Sequence, residues 1–283
     1  MLTVLEVLKR TTKFFEGKGI INPKLNAELI LAHGLGLSQR MELYLQHDRP
    51  LSENELDGIR PLVKRRAGRE PVQYIEGRAN FMGVDFEVDR RVLIPRPETE
   101  ELVERIGEWF ADSPPKRLID LGTGSGIIAL SLARLFPSSE VFATDISSDA
   151  LAVAQSNALA QGLETRVSFL VSDWFSKLDG TFDLVVSNPP YLTATELKQA
   201  ELEVREYEPT SALVTDGDLG ENALVAILQN AYQFLNPHGL LAMETGIDQR
   251  EILERQAKAV GYAEYIQEAD LSGRDRFFFA KVG

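Results

Sequence analysis

Residues 117–135 read RLIDLGTGSGIIALSLARL, and this stretch decides the fold. RLIDLG has the apolar, branched composition of a buried strand, and SGIIALSLARLF carries apolar residues at helical spacing. Between them lie Asp120, Leu121, Gly122, Thr123, Gly124, Ser125 and Gly126. The glycines let the backbone turn tightly and let a ligand approach the main chain, while the helix amino end offers unpaired N–H groups. Such a turn serves nucleotides, flavins and S-adenosylmethionine alike, and also occurs as a plain tight turn. It therefore marks a ligand edge without naming the ligand.

Downstream the same rhythm repeats. Strand candidates EVFATDI (140–146), RVSFLVSD (166–173), FDLVVSNPP (182–190), GLLAMETG (239–246), AEYIQEA (263–269) and RFFFAKV (276–282) are separated by helical stretches such as SDALAVAQSNALAQ (148–161) and ENALVAILQNAYQFL (221–235). Alternation of this kind predicts an α/β fold with a mostly parallel sheet covered on both faces. Upstream, PRPETEELVERIGEWF (95–110) reads as a helix with Pro97 in its first turn. The segment 73–89, QYIEGRANFMGVDFEVD, has strand-like alternation around Gly77 and Gly83 and suggests a hairpin. From Thr3 to Arg69 the pattern is that of short helices, with Pro23, Gly34, Gly36 and Ser52 as breaks and caps. The expected organisation is a helical domain over 1–72, a hairpin linker over 73–92 and a ligand-binding domain over 93–283.

A formal charge of −13 and 44% hydrophobic residues fit a globular protein and disfavour broad attraction to a phosphate backbone. A protein or small-molecule substrate is favoured over nucleic acid. One exception is the basic cluster Lys64, Arg65, Arg66 and Arg69, which reads either as a site for an acidic partner or phosphates or as a solvated helix face. The chain has no cysteine, which removes disulfides, thiolate metal sites and a Cys nucleophile and fits a reducing compartment. Charges interrupt MLTVLEVLKRTTKFFEGKG every few positions, unlike a signal peptide, and no run has membrane-spanning length. The expected location is cytoplasmic, away from membranes. His33, His47 and His238 show no metal-like spacing, so no metal is expected.

Asp145 closes the second strand, nineteen residues beyond Gly126, where a carboxylate can accept hydrogen bonds from both hydroxyls of an adenosine ribose. The competing reading makes it a helix cap before Ser147 and Ser148. Asp173 and Trp174 end the third strand, where a carboxylate and an aromatic plane can receive an adenine ring. The most specific feature is Asn188-Pro189-Pro190-Tyr191 at the end of FDLVVS. By typical composition it arises by chance in about one chain per thousand of this length. Amide and exocyclic amino nitrogens are poor nucleophiles because their lone pair is delocalised, so a methyltransferase must orient the nitrogen toward the methyl donor. The Asn188 side-chain oxygen and the Pro189 carbonyl can each accept one N–H of the target. The prolines hold that carbonyl still, and Tyr191 offers an apolar face to the flat group.

These motifs, with VLIPRPETEELVE (92–104), DLGTGSG (120–126), ATDIS (143–147), SDWF (172–175), FDLVVSNPPYL (182–192), YEP (207–209), METG (243–246), Gln249 and DRF (275–277), run along nearly the whole chain. The sequence resembles the bacterial release factor glutamine methyltransferases, the protein-(glutamine-N5) methyltransferase family. The resemblance implies a seven-stranded class I, Rossmann-like S-adenosylmethionine-dependent methyltransferase domain whose last strand is antiparallel, preceded by a small all-α domain and a bridging hairpin. It implies that Asp120, Leu121, Gly122, Thr123, Gly124, Gly126, Asp145, Asp173, Trp174 and Asn188 hold the cofactor. Asn188, Pro189, Pro190 and Tyr191 would hold the target Gln, with Asn188, Pro189 and Tyr191 as catalytic residues, and Phe81 would line its pocket. The implied substrate is the Gln of the Gly-Gly-Gln loop of peptide chain release factors. ALVTDGDLGENAL (212–224) departs from the family's usual glycine spacing. Three alternatives remain at this point: methylation of a ribosomal-protein Gln, adenine-N6 methylation after base flipping, and a non-catalytic cofactor-binding module, which has no need of Asn188 and Tyr191.

Overall fold

The computed structural model describes residues 1–283, which divide into two compact units. One consists of Met1–Arg78 with Glu201–Tyr207, and the other of Ala79–Ala200 with Glu208–Gly283. The segment 201–207 is an addition to the helical unit that the linear sequence pattern does not announce. No helix is long and apolar enough to cross a membrane.

In the helical unit, Val4–Gly17 begins at a capping box in which Thr3 and Glu6 satisfy each other's backbone N–H groups, and Ser52 and Glu55 do the same for Glu53–Ala67. Pro23 opens the helix Pro23–Gly34. Val4, Val7, Leu8, Phe15, Ala27, Ile30 and Leu31 meet in one core. The basic cluster is mostly consumed internally. Arg65 makes two 2.9 Å bonds to Glu70, while Arg66 and Arg69 grip the two oxygens of Glu203 at 2.8 and 2.6 Å. Only Lys64 and parts of its neighbours remain as a solvated face.

The segment expected to be strand from Gln73 starts instead with a helical turn, Val72–Glu76, which Gly77 ends in the left-handed conformation. The hairpin itself is shorter: β1 (Arg78–Phe81) and β2 (Val84–Glu87). Phe81 and Phe86 meet edge to face and join the core of the second unit, so the expected linker is packed structure.

That unit is built on seven strands: β3 (Arg117–Leu121), β4 (Glu140–Asp145), β5 (Val167–Val171), β6 (Phe182–Ser187), β7 (Leu235–Glu244), β8 (Glu264–Ala269) and β9 (Asp275–Lys281). Their order is β5-β4-β3-β6-β7-β9-β8, with β3 to β7 parallel and β9 antiparallel to both neighbours. The expected α/β class and antiparallel last strand are present. Apolar cores cover both faces, which is why the inner strands read as continuous apolar runs. In β9, Phe277 and Phe279 enter one core while Phe278 and Ala280 enter the other. Each fully buried Phe contributes about 1.5–3 kcal/mol relative to exposure.

Candidate active site

Strands β3 and β6 are neighbours, and the chain winds outward from them in opposite directions. The loops after their carboxyl ends therefore separate and leave a crevice, the usual ligand position in such sheets. A cavity of about 640 Å³ lies there, a size suited to a nucleoside-scale ligand. Its wall brings together Gly122, Thr123 and Gly124 after β3, Asp145 at the end of β4, Asp173 and Trp174 after β5, and Asn188, Pro189 and Pro190 after β6. Leu93 to Arg96 and Pro209, Ser211, Ala212 and Val214 complete the other side. Asp120, Leu121, Gly126, Tyr191 and Phe81 do not line it. Leu121 is in the core, a β-carbon on Gly126 would lie 3.1 Å from the Ala154 β-carbon, and Phe81 is 1% exposed among apolar side chains.

One side of the cavity is held by short polar contacts. Asp145 accepts the Gly124 N–H on Oδ2 and the Ser147 N–H on Oδ1, each at 2.9 Å. The cap of helix Ser148–Ala160 is Ser147, whose hydroxyl accepts the Ala150 N–H, so Asp145 is not the cap. A carboxylate has further lone pairs to offer. Gly122, with φ +70°, faces the Trp174 ring, which a β-carbon there would meet at 3.4 Å. Trp174 itself sits at φ +43°, a strained position for a bulky residue and one that tends to mark functional sites. Its carbonyl is fixed by the Ser172 hydroxyl at 2.9 Å.

Asp120 lies behind this loop, fully buried, accepting from Thr123 Oγ1 at 2.6 Å and the Ala129 N–H at 3.1 Å. Burial pushes its carboxyl up to about 7, and the Asp145 charge adds to the rise against those hydrogen bonds. A carboxyl raised in the folded state binds its proton more tightly than the unfolded chain does. Its stabilising contribution is thus complete below the ordinary 3.8 and lost as pH rises through about 7. Asp120→Asn abolishes the titration. In urea unfolding of the cofactor-free protein, its stability relative to the parent is expected to rise across that window by up to roughly 4 kcal/mol. Parallel pH profiles for the two proteins would exclude it.

On the other side of the cavity, Asn188 Nδ2 donates to Thr99 Oγ1 at 3.1 Å, and Thr99 Oγ1 donates to Glu244 Oε2 at 2.7 Å. The other oxygen, Glu244 Oε1, accepts the Tyr191 hydroxyl at 2.9 Å. Tyr191 thus turns its ring into the core rather than toward the cavity, contrary to the expected apolar face for the target. Burial and the Glu244 charge push its phenol well above the ordinary range, so it stays a donor. Glu208, nearly buried, accepts the Ile94 N–H at 3.1 Å and Arg96 Nη2 at 2.6 Å, and so fixes the IPRPE wall. Gln249 Nε2 reaches the carbonyls of Tyr191 at 2.9 Å and Leu219 at 2.6 Å. It joins the loop of unusual glycine spacing to the Asn-Pro-Pro-Tyr segment. Gly220 has φ +68°, and a β-carbon there would lie 2.3 Å from the Tyr191 carbonyl oxygen. The loop keeps its glycine where the main chains touch.

Sequence reading gave no role to Thr99, Glu208, Glu244 or Gln249. The available signal was a charged residue ending the apolar strand LLAME, since a carboxylate at such a place needs partners.

Family models agree with this architecture: one described as PrmC N-terminal domain matches residues 6–77, and one described as Methyltransferase small domain matches 99–258. A methyltransferase structure from Pyrococcus furiosus aligns with TM-score 0.54 and 20% identity over 72% of this chain and 91% of its own. A 16S rRNA methyltransferase of T. Thermophilus in complex with AdoMet and guanosine aligns with TM-score 0.51 and 18% identity, over 73% and 50%. At those identities the likeness establishes the fold alone. Among curated proteins, a release factor glutamine methyltransferase of Chlorobaculum tepidum is 45% identical over 258 residues, covering 87% of this chain and 86% of that one. One of Geobacter sulfurreducens is 40% identical over 283 residues, covering 99% and 97%. With such relatives along nearly its entire length, this chain belongs to the release factor glutamine methyltransferase family.

Proposed function

We infer that the chain transfers a methyl group from S-adenosylmethionine to the side-chain amide nitrogen of the Gln in the Gly-Gly-Gln motif of peptide chain release factors, and so works in the cytoplasm. The observation that carries this reading is the meeting, in one cavity, of the glycine loop and Asp145 with Asn188 and Pro189. The names of the relatives supply the substrate.

The cavity's groups fit the cofactor. Asp145 offers acceptors for a ribose diol, the Trp174 ring a plane for adenine, and the loop 122–124 main-chain contacts. When bound, S-adenosylmethionine supplies an electrophilic methyl carbon on a sulfonium. Asn188 has Nδ2 engaged with Thr99, which leaves Oδ1 to accept an N–H of the Gln amide. The Pro189 carbonyl accepts the second N–H, so the nitrogen is held with its lone pair directed across the cavity. The Leu93, Ile94, Pro95, Pro209 and Ala212 side removes water from the amide. No base is needed beforehand, because the N–H proton becomes acidic only as the carbon–nitrogen bond forms and the methyl–sulfur bond breaks, with the neutral thioether as leaving group; the proton then passes to water or a carbonyl. The helical unit, which contributes none of these groups, serves recognition of the whole factor.

The test is labelled S-adenosylmethionine incubated with release factor, ribosomal protein and DNA in parallel. Label is expected on release factor and absent when its motif Gln is changed to Ala. Label on ribosomal protein or DNA alone would replace this reading with the corresponding methyltransferase, and label on none would leave a binding module.

A further inference from the structure

Glu244 ends the inner strand β7 and is 1% exposed. It is outside the cavity wall, yet both its oxygens accept hydroxyl protons, one from Thr99 and one from Tyr191. Burial raises its pKa, while those two hydrogen bonds and the Arg276 guanidinium counter the rise and the Glu98 charge adds to it. Arg276 lies over the Tyr191 ring, 5.9 Å from its centre.

The direction of these bonds matters more than their number. As a carboxylate Glu244 can only accept, so the one hydroxyl proton of Thr99 goes to it. Toward Asn188 the Thr99 oxygen then has only lone pairs, so the group it accepts from must be Nδ2–H. Because the amide is planar, this choice turns Asn188 Oδ1 to the other side. A flipped amide would set Nδ2–H against the N–H groups of the target, where donor faces donor. With both hydroxyls aimed at it, Glu244 thus sets which way Asn188 faces.

We propose that Glu244 is a positioning residue for the transfer: through Thr99 it holds the Asn188 amide with its oxygen toward the target nitrogen, and through the Tyr191 hydroxyl it anchors the far end of the same segment. The proposal rests on the reading that Asn188 orients the Gln nitrogen. In Glu244→Gln one of the two atoms becomes a donor, so one hydroxyl must reverse. In Thr99→Val the link is cut at almost constant volume, and in Thr99→Ser it is kept.

The experiment measures methyl transfer to release factor, cofactor binding by calorimetry, and the Asn188 side-chain amide signal in the cofactor-free protein, assigned by its loss in Asn188→Ala. For Thr99→Val and Glu244→Gln, kcat is expected to fall by about ten- to a hundredfold, with cofactor Kd within about threefold of the parent. Thr99→Ser should keep kcat within about threefold and keep the slowly exchanging Asn188 amide proton that Thr99→Val loses. In an Asn188→Ala background, Thr99→Val should add little, since the two act as one unit. Unchanged kcat in Thr99→Val, an unaltered Asn188 signal, or losses that multiply in the double variant would each overturn the proposal. If Glu244→Gln does not fold, the Thr99 pair decides. A parent protein that labels no release factor would instead sink the methyl-transfer reading, and the amide signal alone would then decide whether Thr99 and Glu244 orient Asn188.

Discussion

Asn188→Ala is expected to lower kcat/KM for release factor methylation by roughly a hundredfold or more, the loss typical of removing one preorganised polar group from a reacting centre. Cofactor affinity should change by less than about tenfold, because the glycine loop and Asp145 are untouched. Asn188→Asp sharpens the test. It preserves size, but Thr99 already gives its only proton to Glu244, so a carboxylate oxygen would be set against the Thr99 oxygen, 3.1 Å from the present Nδ2. Such a side chain must turn away from its seat, and it adds negative charge near the sulfonium that can strengthen cofactor binding. Asn188→Asp should therefore hold cofactor and still turn over poorly. Near-normal turnover of folded Asn188→Ala at saturating cofactor would remove the amide-orienting mechanism.

Asp145→Ala is expected to weaken S-adenosylmethionine binding by roughly 1.5–3 kcal/mol, as for losing charged hydrogen bonds to a diol. The structure gives the loss a second source, because the Gly124 and Ser147 N–H groups lose their acceptor at the same time. Asp145→Asn separates the two. Its oxygen can still take one of those N–H groups, so the loop is partly held while the charge is gone. Calorimetry should place its Kd between those of the parent and the alanine variant. Equal affinity for parent and alanine variant would show that Asp145 contributes to cofactor binding neither directly nor through the loop.

Much of this was legible because the information is local. The inner strands of the large sheet announced themselves as apolar runs, and the glycine loop and Asn188 lie where a strand must stop. What escaped depended on distant partners. Gln73 to Glu76 alternates like a strand but forms a helical turn, since Gly77 closes it and Tyr74 and Ile75 are both buried. Tyr191 was read by its neighbours in sequence, whereas a carboxylate on another strand determines where its hydroxyl goes. Phe81 read as a pocket residue, but Phe86 and the sheet core enclose it. Arg66 and Arg69 looked available because Glu203, far along the chain, cannot be paired with them by spacing.

That last pairing bears on how the protein is made. Tyr207 donates to the Gly68 carbonyl, and Glu203 pairs with both Arg66 and Arg69, within a unit whose other residues are all translated by position 78. On a ribosome adding roughly 5–20 residues per second, the amino-terminal helices emerge on the order of ten seconds before the piece that completes them. During that interval Arg66, which is 5% exposed in the finished molecule, has no carboxylate from residue 203 to meet. Until strands β3 to β6 have been synthesised, the nascent helical unit therefore lacks the Glu203 ion pairs and the Tyr207 hydrogen bond, while Arg66 already has Asn26 and the Glu70 carbonyl as partners. The unit made earlier of the two thus gains its last contacts only after much of the other has been made.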